Sequence, residues 1–213
     1  MTRAHPPPGF FPNPASVPHI TPLLIRGINN LSDARYCAGM GADKITFVLD
    51  PALPGHLTAT TVKELASWVA GVELIGEFDQ LGAPEINALA AECGLDAVLL
   101  PAHRAADLPD LAPPAYLELT PQALPTAAPL PPAALGLLLE LPAAPSPETL
   151  ATLAALAARC PLWLGPGLDP DLARQLATQL PLAGLAFPSG NEVKPGLRDF
   201  DQLEAVFEAL EEE

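Results

Sequence analysis

The sequence predicts an α/β protein folded as a single eight-stranded (β/α)₈ barrel. Short apolar runs alternate with segments of helical periodicity at spacings of about 20–30 residues, a pattern typical of parallel strands joined by helices. Eight such units follow residue 22 in a chain of 213 residues, which is close to the lower size limit of a barrel. A doubly wound open sheet is the alternative, but no G-x-G-x-x-G turn follows the first strand.

The eight predicted strands are short runs of aliphatic and aromatic residues bounded by polar residues, Gly or Pro. Parallel strands covered by helices are buried on both faces, so continuous apolar runs are expected rather than strict alternation. The runs cover residues 23–27, 45–49, 72–78, 97–100, 115–119, 135–140, 162–165 and 184–188.

The helices are predicted from apolar periodicity and from end signals. Asn30 or Ser32 can cap the first helix, and Pro147 and Pro170 occupy first helical positions. Prolines weaken the segments after the fourth and fifth strands, so we expect weak or missing helices there. The predicted helices are 30–41, 58–70, 83–93, 146–159, 169–179 and 200–210.

The N-terminal segment has a different composition from the barrel. Residues 1–22 are rich in Pro and include Phe10 and Phe11. Such a segment is expected to be extended or flexible. We therefore divide the chain into a flexible arm, 1–22, and a barrel domain, 23–213.

The charge balance excludes several function classes. Ten Lys and Arg residues against 25 Asp and Glu give a net charge of −15, which repels nucleic acids and anionic membranes. No apolar stretch is long enough to span a membrane, and the N-terminus lacks the apolar core of a secretory signal. Cys37, Cys93 and Cys160 are too few for a disulfide framework, so a cytoplasmic protein is expected.

Two charges stand at the ends of otherwise apolar strands. Barrel enzymes carry their functional residues at the C-terminal ends of the strands. Arg26 ends the first strand and Glu140 the sixth, so both are candidate catalytic residues. A charge in such a place must be paired or face the mouth of the barrel. The structural alternative is an ion pair between Arg26 and Glu140 that plugs the mouth.

The last two loops are candidates for a phosphate site, because barrels often bind phosphate with backbone N–H groups there. Gly167, Ser189 and Gly190 are the candidate residues. Ordinary turn chemistry is the alternative, since Pro166 removes one donor and Asp169 places a negative charge near the helix start. The acidic strand ends are expected to lie too far apart for a metal, and we expect no cofactor.

Two stretches in this frame resemble phosphoribosylanthranilate isomerase, the barrel enzyme of tryptophan biosynthesis. Residues 25–34, I-R-G-I-N-N-L-S-D-A, followed by G-A-D at 41–43, resemble the family's K-I-C-G-I-T-x-x-x-D-A … G-A-D opening. Residues 184–192, G-L-A-F-P-S-G-N-E, with Pro195, Gly196 and Asp199, resemble its closing V-D-V-S-S-G-V-E-x-x-P-G-x-K-D. The resemblance runs in order from Leu23 to about Leu210 and implies an intramolecular isomerase of a phosphorylated sugar.

The positions that the family uses for chemistry differ in this chain. Arg26 stands where the family has its Cys general base, and Glu140 where it has its Asp general acid. Gly55 replaces the substrate-binding Arg, and Leu99 and Pro101 replace the Gln and His of Q-L-H-G. The guanidinium group stays protonated at physiological pH and is unable to act as a base. Loss of a base typically lowers the rate by about 10²–10⁴-fold.

Three hypotheses therefore stay open. The first is a divergent barrel without the standard isomerase activity that binds a phosphorylated small molecule or a partner. The second is an active phosphoribosylanthranilate isomerase with a rearranged catalytic pair. The third is a structural or assembly protein that docks through its Pro-rich arm. A monomer or a homodimer is expected in each case.

Overall fold

The predicted barrel is confirmed. The computed structural model describes residues 19–126, 129–141, 143–165, 167–194 and 197–211. Eight parallel strands pair in chain order and close, because β1 pairs with both β2 and β8. The strands β1 to β8 are Leu23–Arg26, Lys44–Val48, Glu73–Glu77, Ala97–Pro101, Ala115–Leu119, Ala134–Leu139, Leu162–Leu164 and Gly184–Pro188.

The helices surround the strands as expected. The segments after β4 and β5 form only 3₁₀ helices, Ala102–Asp110 and Pro121–Thr126. This confirms the expectation of weak helices there, since a Pro interior to a helix removes a hydrogen bond and clashes with the preceding turn. The α-helices α1 to α6 of the described residues are Leu31–Gly39, Ala59–Ala66, Ala83–Cys93, Pro147–Ala157, Pro170–Gln179 and Asp201–Leu210.

Side-chain caps explain where several helices begin. Of the two candidate caps for α1, Asn30 is used: its Oδ1 accepts a hydrogen bond from the N–H of Asp33 at 2.9 Å. The Oδ1 of Asp169 accepts from the N–H of Leu172 at 2.8 Å and caps α5. Each cap satisfies a backbone donor that the first helical turn leaves without a partner.

Alternation along the strands divides the core into two parts. One set of side chains packs between the strands and the helices, with Ile25, Phe47 and Phe207 fully or nearly fully buried. The other set fills the interior of the barrel, as expected for inward positions on the strands. The interior set is Leu24, Ile75, Ala97, Leu99, Tyr116, Leu138, Trp163 and Ala186.

A charged pair closes the interior near the N-terminal ends of the strands. The ammonium group of Lys44 pairs with Glu73 and lies 5.6 Å from the ring centre of Trp163 and 5.8 Å from that of Tyr116. Ring faces attract cations at such distances. The lower end of the barrel is therefore filled by side chains and is not a pore.

The residues before β1 are held against the barrel. The N–H of Ile20 donates to the carbonyl of Leu210 at 2.9 Å, and His19 forms a backbone bridge with Glu211. The other residues of the predicted arm, 1–18, lie outside the described residues. In the described part of the chain, no helix is long and apolar enough to cross a membrane.

The region after β8 differs from the prediction. It contains a two-stranded antiparallel hairpin, β9 (Asn191–Lys194) and β10 (Leu197–Asp199), before α6 begins. Strands of four and three residues are too short to show a clear period in the sequence. The hairpin brings Asp199 back beside the end of β8.

Candidate active site and adjoining cleft

Arg26 forms an ion-pair cluster at the C-terminal end of the barrel. Its Nε donates to Oε1 of Glu77 at 3.1 Å and its Nη2 to Oε2 at 2.6 Å, so the pair is bidentate. Its Nη1 donates to Glu118. The side chains of Arg26, Glu77 and Glu118 are 17%, 10% and 28% exposed. The guanidinium group thus lies across the end of the interior, bonded to two strands other than its own.

The strand positions explain how this cluster is assembled. Glu77 is the last residue of β3, and Thr46 on the adjoining β2 donates its hydroxyl to Oε1 of Glu77. The hydroxyl oxygen of Thr46 also accepts from the N–H of Gly27 at 2.9 Å. Glu77 is therefore satisfied from two sides, as a carboxylate that is mostly removed from water requires.

The electrostatics of the cluster fix the charge state of Arg26. Burial acts to lower the pKa of its guanidinium, but the hydrogen bonds and charges of Glu77, and then of Glu118, outweigh it and raise that pKa. An arginine already stays protonated at physiological pH. Arg26 therefore has no means of accepting a proton here.

The structural alternative, an ion pair between Arg26 and Glu140, is wrong. Glu140 directly follows β6 and is exposed, and among the described residues it forms no salt bridge, whereas Arg26 bonds to Glu77 and Glu118. Arg26 instead bonds to Glu77, which ends β3, and to Glu118 on β5. The carboxylate of Glu140 is left open to solvent at the mouth of the barrel.

Asp50 connects two loops at the same end of the barrel. Its side chain is 1% exposed, and Oδ2 accepts from the N–H groups of Asp79, Gln80 and Leu81 at 2.6–3.1 Å. Oδ1 accepts from the N–H of Ala52. Burial acts to raise the pKa of this carboxyl, but the four backbone donors lower it to about 2. These four hydrogen bonds all come from backbone N–H groups of the two loops, which assigns Asp50 a structural role.

The loops that follow β7 and β8 border a cleft of about 570 Å³. The cleft brings together the three predicted phosphate-site residues, Gly167, Ser189 and Gly190, with the first two turns of α6. Its volume lies within the range of small-molecule sites. The three residues therefore lie together at one cleft, and their role in binding a phosphate group stays a prediction.

Two of those three residues have structural reasons for their identity. The N–H of Ser189 donates to the carbonyl of Arg26 at 2.9 Å, and its hydroxyl donates to the carbonyl of Gly27 at 3.1 Å. A side chain at Gly190 would place its Cβ 2.7 Å from the ring of Phe200. Both hydrogen-bond donors of Ser189 therefore join the end of β8 to the end of β1.

The described rim of the cleft is acidic. Asp169, Asp199 and Asp201 line it, and no Lys or Arg is among its described lining residues. Asp169 is committed to capping α5, and Oδ1 of Asp199 accepts from the N–H of Asp201 at 2.9 Å. These carboxylates repel an anion at close range, so this part of the rim favours neutral or cationic groups.

The other nucleophile and metal candidates are not supported by the described residues. All three cysteines are free and buried, and burial together with the charge of Asp33 raises the pKa of Cys37 to about 12. Cys160 lies three residues after the end of α4. Across the described ranges, no group of three or more His, Cys, Asp or Glu side chains is placed to hold a metal ion.

Sequence reasoning missed the partners of Arg26. Glu77 and Glu118 are recognisable as acids at strand ends, but the sequence does not show which acid reaches the guanidinium. The choice depends on the stagger of the strands around the barrel. The double use of Thr46, as donor to Glu77 and acceptor from Gly27, had no sequence signal.

The fold is similar to solved phosphoribosylanthranilate isomerases. That of Thermus thermophilus superposes with a TM-score of 0.72 at 23% identity, covering 89% of this chain and 98% of that one. The Thermotoga maritima enzyme gives 0.70 at 21% identity with the same coverage. The 3-keto-L-gulonate-6-phosphate decarboxylase of Vibrio cholerae gives 0.60 at 15% identity, covering 91% and 98%.

These likenesses concern the fold. No protein-family model and no curated protein sequence matches the chain. The superposition nevertheless runs over nearly the whole length of each isomerase, so the resemblance in the end motifs and the resemblance in architecture agree. The chain has the (β/α)₈ fold of the phosphoribosylanthranilate isomerases, with an arginine–glutamate cluster across the end of its barrel.

Proposed function

We propose that this protein is a divergent phosphoribosylanthranilate-isomerase-like barrel that lacks the isomerase activity and acts as a binding protein. The observation that carries the proposal is the position of Arg26, bonded to Glu77 and Glu118 where the resembling family has its general base. The isomerisation opens a phosphoribosylamine ring and moves a proton, so it needs both an acid and a base. A guanidinium group in an ion pair supplies no base.

The cleft beside β8 is the proposed binding site. It combines a small-molecule volume with apolar walls and a few polar groups, the usual character of a ligand pocket. The names of the similar structures, a phosphoribosyl anthranilate isomerase and a keto-gulonate-phosphate decarboxylase, support a phosphorylated small molecule as the first ligand to examine. We expect weak binding of the phosphate group itself, because the rim is acidic and both hydrogen-bond donors of Ser189 already bond to backbone carbonyls.

An active isomerase with a rearranged catalytic pair is the second candidate. Glu140 favours it, because this carboxylate is exposed at the end of β6, where the resemblance places the general acid. The base in this candidate would be Glu118, because its side chain is 28% exposed and is the more accessible of the two carboxylates that bond to Arg26. Its ion pair with Arg26 opposes that role, because the carboxylate oxygen that would take a proton is already bonded to the guanidinium group.

A single-turnover assay separates the two candidates. Phosphoribosylanthranilate is mixed with an excess of protein, and the loss of its anthranilate fluorescence is followed with wild type and Glu140→Gln. We expect the same decay with wild type, with the variant and without protein. A decay that quickens in proportion to wild-type concentration and is lost in Glu140→Gln would establish the second candidate instead.

A further inference from the structure

The cleft beside β8 has an apolar floor that the fold builds without a ligand. Leu168, Phe187, Leu203 and Val206 line it and are each 3–8% exposed. They come from β8, from α6 and from the residues just before α5, so three elements of the barrel hold the floor in place. Burial of an apolar body against such a preformed surface is favourable.

At both helix starts beside the cleft, a carboxylate of this chain occupies the place of an anion. Helix starts bind anions through N–H groups that have no partner within the helix. At α5, the N–H of Leu172 donates to Oδ1 of Asp169 at 2.8 Å. At α6, the N–H of Asp201 donates to Oδ1 of Asp199 at 2.9 Å. An incoming phosphate group would have to compete with these two carboxylates for the donors.

The first turns of the same two helices add negative charge. Asp171 lies in the first turn of α5, and Asp201 and Glu204 lie in that of α6. Acidic residues in these positions offset the positive end of the helix dipole. Asp169, Asp199 and Asp201 are exposed lining residues of the cleft, and we call them the rim aspartates. The described part of the rim therefore attracts a cation and repels an anion.

The rim aspartates can bond to a ligand without giving up the helix caps. The hydrogen bonds of Asp169 and Asp199 both use Oδ1, and each carboxylate has a second oxygen. Asp201 takes part in its bond through the backbone N–H and not through its carboxylate. An ammonium group carries several N–H donors and no acceptor, so it matches a rim that offers carboxylate oxygens.

We propose that the cleft binds an organic amine, in which an ammonium group is carried on an apolar body. The apolar body lies on the floor, and the ammonium group bonds to the rim aspartates. The volume of about 570 Å³ is within the range of small-molecule sites. This inference rests on the proposed function, in which the cleft is the binding site, and it assigns the class of the ligand, with a cation in place of a phosphate group.

Three ligands of similar shape and different charge test the proposal. Phenethylamine, phenethyl alcohol and hydrocinnamate share a phenethyl body and carry a positive, a neutral and a negative end group. Inorganic phosphate is the fourth probe, and ligand-observed NMR gives each dissociation constant with the full chain. We expect the amine to bind at least about tenfold more tightly than hydrocinnamate, because the charge interaction changes sign. Added sodium chloride should weaken the binding of the amine and leave that of the alcohol unchanged.

A variant that removes charge from the rim locates the binding. Asp169→Asn/Asp201→Asn keeps the cap of α5, because Asn caps helices as well as Asp does. The matched control, Glu64→Gln/Glu148→Gln, removes exposed charges on α2 and α4 and changes the net charge of the chain equally. We expect the rim variant to lose about tenfold in affinity for the amine and to keep its affinity for the alcohol. The control should keep both.

Three results would overturn the proposal. Binding of hydrocinnamate or inorganic phosphate as tight as that of the amine would show that the cleft accepts anions, and the proposed function would then stand without this inference. Equal losses of amine affinity in the rim variant and the control would show a response to net charge alone. Absence of binding for all four probes would contradict both this inference and the assignment of the cleft as the binding site.

Discussion

The Arg26 guanidinium and the Glu77 carboxylate form a bidentate ion pair at the end of the barrel, with N–O distances of 3.1 and 2.6 Å. Planar guanidinium and carboxylate groups match each other in this geometry, which makes such pairs specific. Both side chains are largely withdrawn from solvent. Each charge is therefore stabilised mainly by its partner in place of water, and removing one partner should have a measurable effect on stability.

Removing one partner of this ion pair should lower the free energy of unfolding. Arg26→Met leaves Glu77 without its main partner, and we expect a loss of about 3 kcal/mol in the free energy of unfolding, because an unpaired buried carboxylate is poorly solvated. Urea denaturation measures the loss. The double variant Arg26→Met/Glu77→Gln should recover part of it, since no buried charge is then left at that position.

Glu118→Gln is the matched control for that series. Glu118 is more exposed than Glu77, and Arg26 retains its bidentate partner, so we expect a loss below about 1 kcal/mol. Equal losses for Arg26→Met and Glu118→Gln would contradict the assignment of Glu77 as the principal partner.

Asp50 should make stability depend on pH in the acid range. Its pKa in the folded protein is about 2, against an ordinary value of 3.8, so its contribution is fully present above pH 3.8 and is lost as the pH falls through 2. The difference corresponds to about 2 kcal/mol. We expect Asp50→Asn to lose about that much at pH 7 and to show a smaller further loss between pH 4 and pH 2 than wild type.

Asp79→Asn serves as the control for Asp50→Asn. The carboxylate of Asp79 accepts only an exposed side-chain amide, that of Gln80, in the bonds seen for it, so we expect a change within about 0.5 kcal/mol. Chemical unfolding at pH 2, 4 and 7 gives the comparison. An Asp50→Asn protein as stable as Asp79→Asn would show that the four backbone donors find other partners.

Gly165 should not tolerate a side chain. Its φ is +133°, and an added Cβ would lie 1.8 Å from the carbonyl oxygen of Ala186 on the neighbouring strand. We expect Gly165→Ala to cost at least about 3 kcal/mol, because backbone of β7 or β8 has to move. Gly39→Ala, where the added Cβ meets open space at the end of α1, should gain up to about 0.5 kcal/mol. Thermal unfolding of both variants checks the contrast.

Much of the fold could be predicted because local signals and the global pattern agree. The limits of α3 were predicted to the residue, since Gly82 and Pro84 mark its start and Gly94 its end, with φ at +67°. The weak segments after β4 and β5 followed from their prolines. The pairing of β9 with β10 was missed because two such short strands carry no clear hydrophobic period.

The hydrogen bonds of the candidate site could not be predicted from the sequence. Arg26 ends β1 and Glu140 follows β6, yet Arg26 pairs with Glu77 and Glu118. Contacts across a barrel depend on tilt and stagger, which are properties of the closed sheet and not of any one strand. In the same way, Ser189 was placed at the cleft, but its use as a donor to Arg26 and Gly27 depends on how β8 meets β1.

The catalytic efficiency toward phosphoribosylanthranilate tests the central claim most directly. The kcat/KM of this protein is measured beside that of the Thermus thermophilus isomerase and of Arg26→Cys at one temperature. Loss of the base together with the substrate-binding positions predicts a wild-type value at least about 10⁴-fold below that enzyme. A wild-type value within about tenfold of that enzyme would contradict the account, because it would require a base at this site other than Arg26.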